Sequence, residues 1–151
     1  MSTTLTNTAL SCFTSEYRHG VDSKRRLQIP AKWRPANGEA ILTLILWPSV
    51  PPRESFIVAL PAEPLSRLLD KFKGMAYSDP RPRLLARNSD QFELDSGGRI
   101  CLSEFMAKGA GIQTDALLVG NWDRFEIWNP RRFEQAIELD QAVSGDAFKL
   151  L

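Results

Sequence analysis

Among the residues able to do chemistry, one pattern occurs twice: Asp-x-x-x-Arg, as DSKRR (residues 22–26) and as DSGGR (residues 95–99). An aspartate opening a tight turn can accept hydrogen bonds from backbone N–H groups two residues on, which fixes the loop. The arginine four residues later faces the same carboxylate across the mouth of a hairpin, and the ion pair orients its guanidinium. A planar, oriented cation with spare donors suits an anionic partner such as phosphate. A single copy would count only as a surface ion pair of little weight. Two copies in equivalent settings mean that two units hold an arginine in the same geometry.

The two copies differ in their interior. The second has Gly97 and Gly98, which permit positive φ, whereas the first has Lys24 and Arg25. If the position shared by Arg25 and Gly98 is left-handed, Arg25 is strained by about 1–2 kcal/mol. The exchange gathers cations, and Arg18, Lys24, Arg25, Arg26 and Lys32 form one candidate phosphate-contacting set. Asp22, Asp95 and Arg99 are assigned to holding the motifs. Affinity for a polyphosphate grows with the number of charges neutralised, so the first motif is expected to dominate and Arg99 to serve mainly its hairpin.

Other chemistries have little support. The chain has one histidine, His19, and two cysteines, Cys12 and Cys101, outside any C-x-x-C pattern. A structural zinc site needs about four ligands, so no metal and no cofactor is expected. There is no G-x-S-x-G, H-E-x-x-H or complete P-loop. KGAG (residues 108–111) resembles a fragment of a phosphate loop, but it aligns with PANG of the first unit and reads as a helix stop. The four tryptophans, Trp33, Trp47, Trp122 and Trp128, are read as core or subunit-interface residues rather than stacking platforms.

The elements that must position the motifs repeat with them. At an offset of 73 (95 − 22), Leu27 falls on Ile100, Ile29 on Leu102, Gly38 on Gly111, and LIL (44–46) on LLV (117–119). The offset then becomes 69 (125 − 56), with FIVALP (56–61) over FEIWNP (125–130). An ordered series of this length indicates tandem duplication. Each unit reads as a strand (14–21; 91–94), the motif turn, a second strand with apolar alternation, and a short helix opened by Pro30 or Ser103 and stopped by Gly38 or Gly111. Two more strands and a closing helix follow, AEPLSRLLDKF and RRFEQAIEL, and SDPRPR (78–83) reads as a linker. So few short strands cannot bury a core alone, whereas two units pairing into one closed β-structure can. The implied organisation is a tail (1–12), a first β-unit (13–63), a helix and linker (64–87), a second β-unit (88–133), and a C-terminal helix and tail (134–151).

A net charge of +1 conceals segregation. Tyr17 to Arg34 carries six cations against Asp22 (+5), Lys71 to Arg87 five against Asp79 (+4), and Asp115 to Asp146 seven acids against three arginines (−4). This distribution suits local steering of an anionic partner, not bulk coating of one. Composition falls in the globular range. No apolar run approaches the roughly 20 residues that span a bilayer, and the N-terminus lacks the pattern of a signal peptide. The expected location is the cytoplasm.

Taken in context, FTSEYRHGVDSKRRLQIPAKWR and FELDSGGRICLSEFMAKGAGI with ALLVGNWDRFEIWNP resemble the two halves of the MraZ family of bacterial transcriptional regulators. The resemblance extends over about residues 13–140. It implies a mostly β fold with short helices, in which two tandem swapped-hairpin units of the AbrB type form a pseudo-dimeric β-barrel within one chain. It also implies a non-enzymatic regulator that binds double-stranded DNA at direct repeats upstream of the division and cell-wall gene cluster, and that assembles into a homo-oligomeric ring. The family's aspartates and motif arginines map to Asp22, Arg26, Asp95 and Arg99, and its basic residue within the first motif to Lys24. Arg25 replaces the family's glycine, Ser103 its proline, and the N-terminal tail is about ten residues longer. The rival reading is an oligomeric β-scaffold that does not bind DNA. The cluster Lys24-Arg25-Arg26 separates the two, because a scaffold gains nothing from like charges packed into one turn.

Overall fold

The computed structural model describes residues 12–35 and 41–151; the expected stop at Gly38 and most of the expected tail lie outside them. In chain order the elements are β1 (Glu16–Gly20), β2 (Arg26–Gln28), a 3-10 turn (Ala31–Trp33), β3 (Ile41–Trp47), β4 (Phe56–Leu60), α1 (Ala62–Lys73) and α2 (Arg81–Arg87). There follow β5 (Ser89–Glu93), β6 (Arg99–Cys101), α3 (Glu104–Ala110), β7 (Asp115–Asn121), β8 (Arg124–Trp128), α4 (Pro130–Asp140), a second 3-10 turn (Gln141–Val143) and α5 (Ser144–Phe148). The fold is mostly β with short helices. No helix among the described residues is long and apolar enough to cross a membrane.

Local chemistry explains where these elements begin and end. Ser103 caps α3, its hydroxyl accepting from the Met106 N–H at 3.2 Å, and Gly111 closes the helix at φ 69°. A left-handed C-terminal residue is the usual task of glycine. Asn129 caps α4 by accepting from the N–H groups of Arg131 and Arg132, with Pro130 in the first turn where its missing donor costs nothing. SDPRPR, expected as a linker, contains the start of α2. The helix tolerates Pro82 because the residue sits in the first turn, and the Asp79 carboxylate accepts from the Arg81 N–H at 3.0 Å.

Six strands form one antiparallel sheet in the order β1-β7-β8-β4-β3-β5, and β2 with β6 forms a separate two-stranded ribbon. Four of the six pairings join one unit to the other: β1 with β7, β2 with β6, β3 with β5, and β4 with β8. The expected closed barrel is not formed as a continuous ladder. Within the described residues β1 and β5 are the sheet edges, and the ribbon bridges them through turns rather than through shared strand pairing. A three-residue strand is too short to extend both its ribbon partner and the large sheet.

Pairing also refines the repeat. Gly20 pairs with Asp115 and Glu93 with Ile41, so the third strands are related by 74 (115 − 41) while the first strands keep 73 (93 − 20). Leu44 pairs with Ala59 and Leu118 with Ile127, which places the fourth strands 68 apart (127 − 59). The matches LIL on LLV and FIVALP on FEIWNP are each out by one residue. A one-residue slip exchanges the faces of a strand, and burial decides the matter: Leu44, Ile57 and Ala59 are fully buried, as are Leu118, Phe125 and Ile127.

One core serves both units. It joins Leu27, Ile29, Leu44 and Ile57 to Ile100, Leu102, Met106, Leu118 and Phe125. Trp33 and Trp128 are buried as expected, but Trp47 and Trp122 are half-exposed or more, at 49% and 66%. Trp122 sits at the tip of the β7–β8 turn with positive φ, where its backbone pairs with that of Phe13 and its ring has no core to enter.

Candidate nucleic-acid interface

Both motifs fold alike. Asp22 Oδ1 accepts from the backbone N–H groups of Lys24 and Arg26, each at 2.9 Å, while Oδ2 takes Arg26 Nε at 2.6 Å. Asp95 Oδ1 accepts from the N–H groups of Gly97 and Arg99 at 2.9 and 3.0 Å, and Oδ2 from Arg99 Nε at 3.0 Å. Each aspartate carbonyl also closes its turn, accepting from the Arg25 or Gly98 N–H at 2.9 Å. The carboxyls are held below the usual carboxylate range, chiefly by the backbone N–H of Arg26 for Asp22 and of Arg99 for Asp95. A depressed folded value means that this stabilisation is complete above the unfolded carboxylate value of about 3.9 and is lost as pH falls through the folded value. The chain should therefore lose melting temperature as pH drops below about 4, and an Asp22→Asn/Asp95→Asn variant should show a shallower acid limb in melts followed by circular dichroism.

The ribbon brings the two arginines onto one surface. Arg26 pairs with Cys101, Leu27 with Ile100, and Gln28 with Arg99. Leu27 and Ile100 are fully buried, so strand alternation turns Arg26, Gln28, Arg99 and Cys101 to the opposite, solvent-facing side. Gln28 Nε2 donates to the Gly97 carbonyl at 2.7 Å, and Cys101 Sγ lies 3.2 Å from the Lys24 carbonyl, tying each strand to the partner's turn. Both motif arginines engage aspartate through Nε, and neither has an Nη partner among the described residues. Each keeps the outer edge of a guanidinium fork available to an anion.

The rest of the expected set is dispersed. Lys24 is exposed in the turn, with no ion pair among the described residues. Lys32, on the 3-10 turn, lies 5.4 Å from the centre of the Tyr17 ring. Arg18 is not brought to the ribbon: on β1, it binds Asp115 through Nε at 2.8 Å and Nη2 at 2.6 Å.

Arg25 does have positive φ, 61° against 78° at Gly98. The residue is exposed, with Nε donating to the Leu102 carbonyl at 3.0 Å, while the Arg25 carbonyl accepts the Leu102 N–H at 2.9 Å. At the equivalent place the Gly98 carbonyl accepts the Ile29 N–H at 2.9 Å, and the Ile29 carbonyl accepts Arg34 Nε at 2.8 Å. A Cβ on Gly98 would stand 2.2 Å from Arg34 Nε. Arg34 thus fills the space of the side chain that Gly98 lacks, and each ribbon strand ends under a guanidinium. Reading the sequence missed Arg34; its signal was the Arg-for-Gly exchange itself, which leaves one side-chain volume to be supplied from elsewhere. Arg25→Gly should relieve left-handed strain but lose the clasp on Leu102. An unchanged salt dependence of DNA binding assigns Arg25 to the clasp alone, whereas a lost phosphate contact takes about 0.9 from the slope. Anisotropy titrations at two salt concentrations distinguish these outcomes.

The chain as a whole is similar to known proteins. Over 142 residues the chain is 30% identical to the transcriptional regulator MraZ of Rickettsia akari (strain Hartford), covering 91% of this chain and 94% of that one. The chain belongs to the MraZ family. The family model for the MraZ protein, described as antitoxin-like, matches residues 85–147. The MraZ regulators of Rickettsia canadensis (strain McKiel) and Rickettsia rickettsii (strain Sheila Smith) are each 30% identical, over 89% and 91% of this chain. Among the described residues, no group of three or more His, Cys, Asp or Glu side chains could hold a metal ion.

Proposed function

We propose that this chain regulates transcription by binding double-stranded DNA through the outer face of the β2–β6 ribbon. The observation that carries the reading is the identical clamping of Arg26 and Arg99, each by Nε to its own aspartate, with both guanidinium forks left on one exposed face. Such forks match phosphate oxygens and the O6/N7 edge of guanine. Lys24, in the same turn as Arg26, adds phosphate-directed charge, and the names of the relatives agree with this role.

In this reading the cross-paired units correspond to swapped hairpins of the AbrB type, and the targets are direct repeats upstream of the division and cell-wall gene cluster. One ribbon is small beside the roughly 1,000 Å² or more that specific DNA complexes bury. Several copies acting together, as in a ring, would present the ribbon to successive repeats. Such a protein would work in the cytoplasm, at the nucleoid. The test is a mobility shift on DNA upstream of the protein's own gene, with scrambled DNA as competitor. A shift reversed equally well by both DNAs, or no shift at low salt, rejects sequence-specific binding.

A further inference from the structure

The β2–β6 ribbon has a local two-fold axis. Repeat equivalents on its strands are 73 residues apart, and Leu27 pairs with its own equivalent, Ile100 (27 + 73), so the axis passes through that pair. It exchanges Arg26 with Arg99 (26 + 73) and Gln28 with Cys101 (28 + 73). The contacts obey the same symmetry. Each arginine is clamped through Nε to its own aspartate. The other two side chains meet the opposite turn at equivalent carbonyls: Gln28 Nε2 donates to Gly97 at 2.7 Å, and Cys101 Sγ to Lys24 at 3.2 Å (24 + 73 = 97). The anchors are alike, but the groups they hold are not. A thiol has one hydrogen, and donating it to Lys24 leaves Cys101 only a weak acceptor. A primary amide has two N–H groups and a carbonyl, so Gln28 keeps one donor and a full acceptor.

We infer that Gln28 reads an adenine edge in the major groove, and that its unequal counterpart, Cys101, fixes the direction in which each ribbon lies on the duplex. This rests on the DNA-binding role proposed above. The major groove admits a two-stranded β-ribbon, and glutamine meets adenine there by donating to N7 and accepting from the N6 amino group. Those are the donor and acceptor that Gln28 has left. Its place suits the task. Strand alternation puts it on the solvent-facing side, directly across from Arg99, whose guanidinium fork suits the O6/N7 edge of a guanine. Held at Gly97, the amide has lost rotamer freedom before DNA arrives, so less is lost on binding. Charge is divided the other way. Lys24 stands at the Cys101 end of the ribbon, where the second turn has Gly97. One half of the ribbon therefore grips phosphate and the other reads base, while the duplex offers both halves the same backbone. A symmetric ribbon would bind equally well turned end for end; this one would not.

The test starts from duplexes that the full parent chain selects from a random pool. Fluorescence anisotropy then measures affinity with each of the four base pairs at every selected position. The parent should prefer adenine at one position by about 5- to 150-fold, the range expected of one bidentate contact. Gln28→Ala should bind all four base pairs equally at that position and keep its preferences elsewhere. Cys101→Gln places the same head group at the symmetric site. It should gain a preference for adenine on the opposite strand, mirrored about the centre of the site, a gain that misfolding cannot imitate. A Gln28→Ala variant that keeps the parent's preference at every position, or a Cys101→Gln variant that gains none, overturns the inference. Either result, with a parent that still selects a sequence, leaves the DNA-binding role standing. A parent that selects no sequence rejects both.

Discussion

Replacing Lys24 and Arg26 together by alanine should weaken DNA binding roughly 30-fold at about 0.15 M salt for each copy seated on the duplex. Each phosphate neutralised contributes about −0.9 to the slope of log K against log salt, which at that salt is about a five-fold factor. The salt slope itself should fall by about 1.8 per copy. Losing Arg26 should do more than delete a cation, because the Asp22 carboxylate keeps its two backbone donors and stays charged on the same face. Folding should be nearly unaffected, since Lys24 is exposed, Arg26 is partly exposed, and their removal leaves Leu27 and Ile100 packed. Fluorescence anisotropy at several salt concentrations gives both numbers. If affinity and slope match those of the parent, the ribbon is not the reading surface. Arg99→Ala measured alongside decides whether the second motif contributes a contact or only its hairpin.

The largest loss of stability should follow Phe125→Ala, at about 3–5 kcal/mol. Phe125 is fully buried, and its ring lies 5.4 Å from Phe13 and 5.0 Å from Trp33, centre to centre. Two of these rings come from the first unit and one from the second, so the cavity would open where the units share their core. That loss is a large fraction of the 5–15 kcal/mol typical of a whole domain. Trp33 also ends the 3-10 turn that presents Arg34 to the ribbon, so its fluorescence should report the change directly. Urea unfolding followed by tryptophan emission and by far-ultraviolet circular dichroism should shift together. Two separated transitions, with only one moved, would mean that the units unfold independently and that the common core is energetically unimportant.

Much of this was legible in the residues. The duplicated Asp-x-x-x-Arg located both hairpins, because the aspartate's backbone bonds and the arginine's ion pair are set within five residues. Alternation at Leu27 and Ile29 showed the buried face of β2. Local chemistry also marked Ser103 and Gly111 as the ends of α3. Information carried between distant residues was not legible. The one-residue shifts in β3/β7 and β4/β8 follow from strand register, which the burial of Leu44 and Leu118 fixes and apolar runs such as LIL and LLV leave ambiguous. The direction of the Arg25 side chain depends on a carbonyl 77 residues away. Arg18 looked like part of the basic cluster until the fold set Asp115 against it, across 97 residues of sequence. Prolines in SDPRPR suggested a break because residue type alone does not say whether a helix starts or stops there.

The crossed pairing of the units sets a timetable for the nascent chain. Gly20 is made 95 residues (115 − 20) before Asp115, its partner in the β1–β7 ladder. At the usual rate of synthesis, that is a wait of roughly 5–20 seconds. Until then β1 has no strand to join, and β2 has waited for β6 until residues 99–101 are made, so the emerging first unit carries unsatisfied strand edges. A message broken before the codons for β7 and β8 yields a polypeptide that cannot complete its sheet and is open to proteases, rather than a half-sized DNA binder competing with the intact one. The same logic makes the units separable as genes but not as folds: each expressed alone should stay unstructured, and the two expressed together should assemble across the cut between α1 and α2.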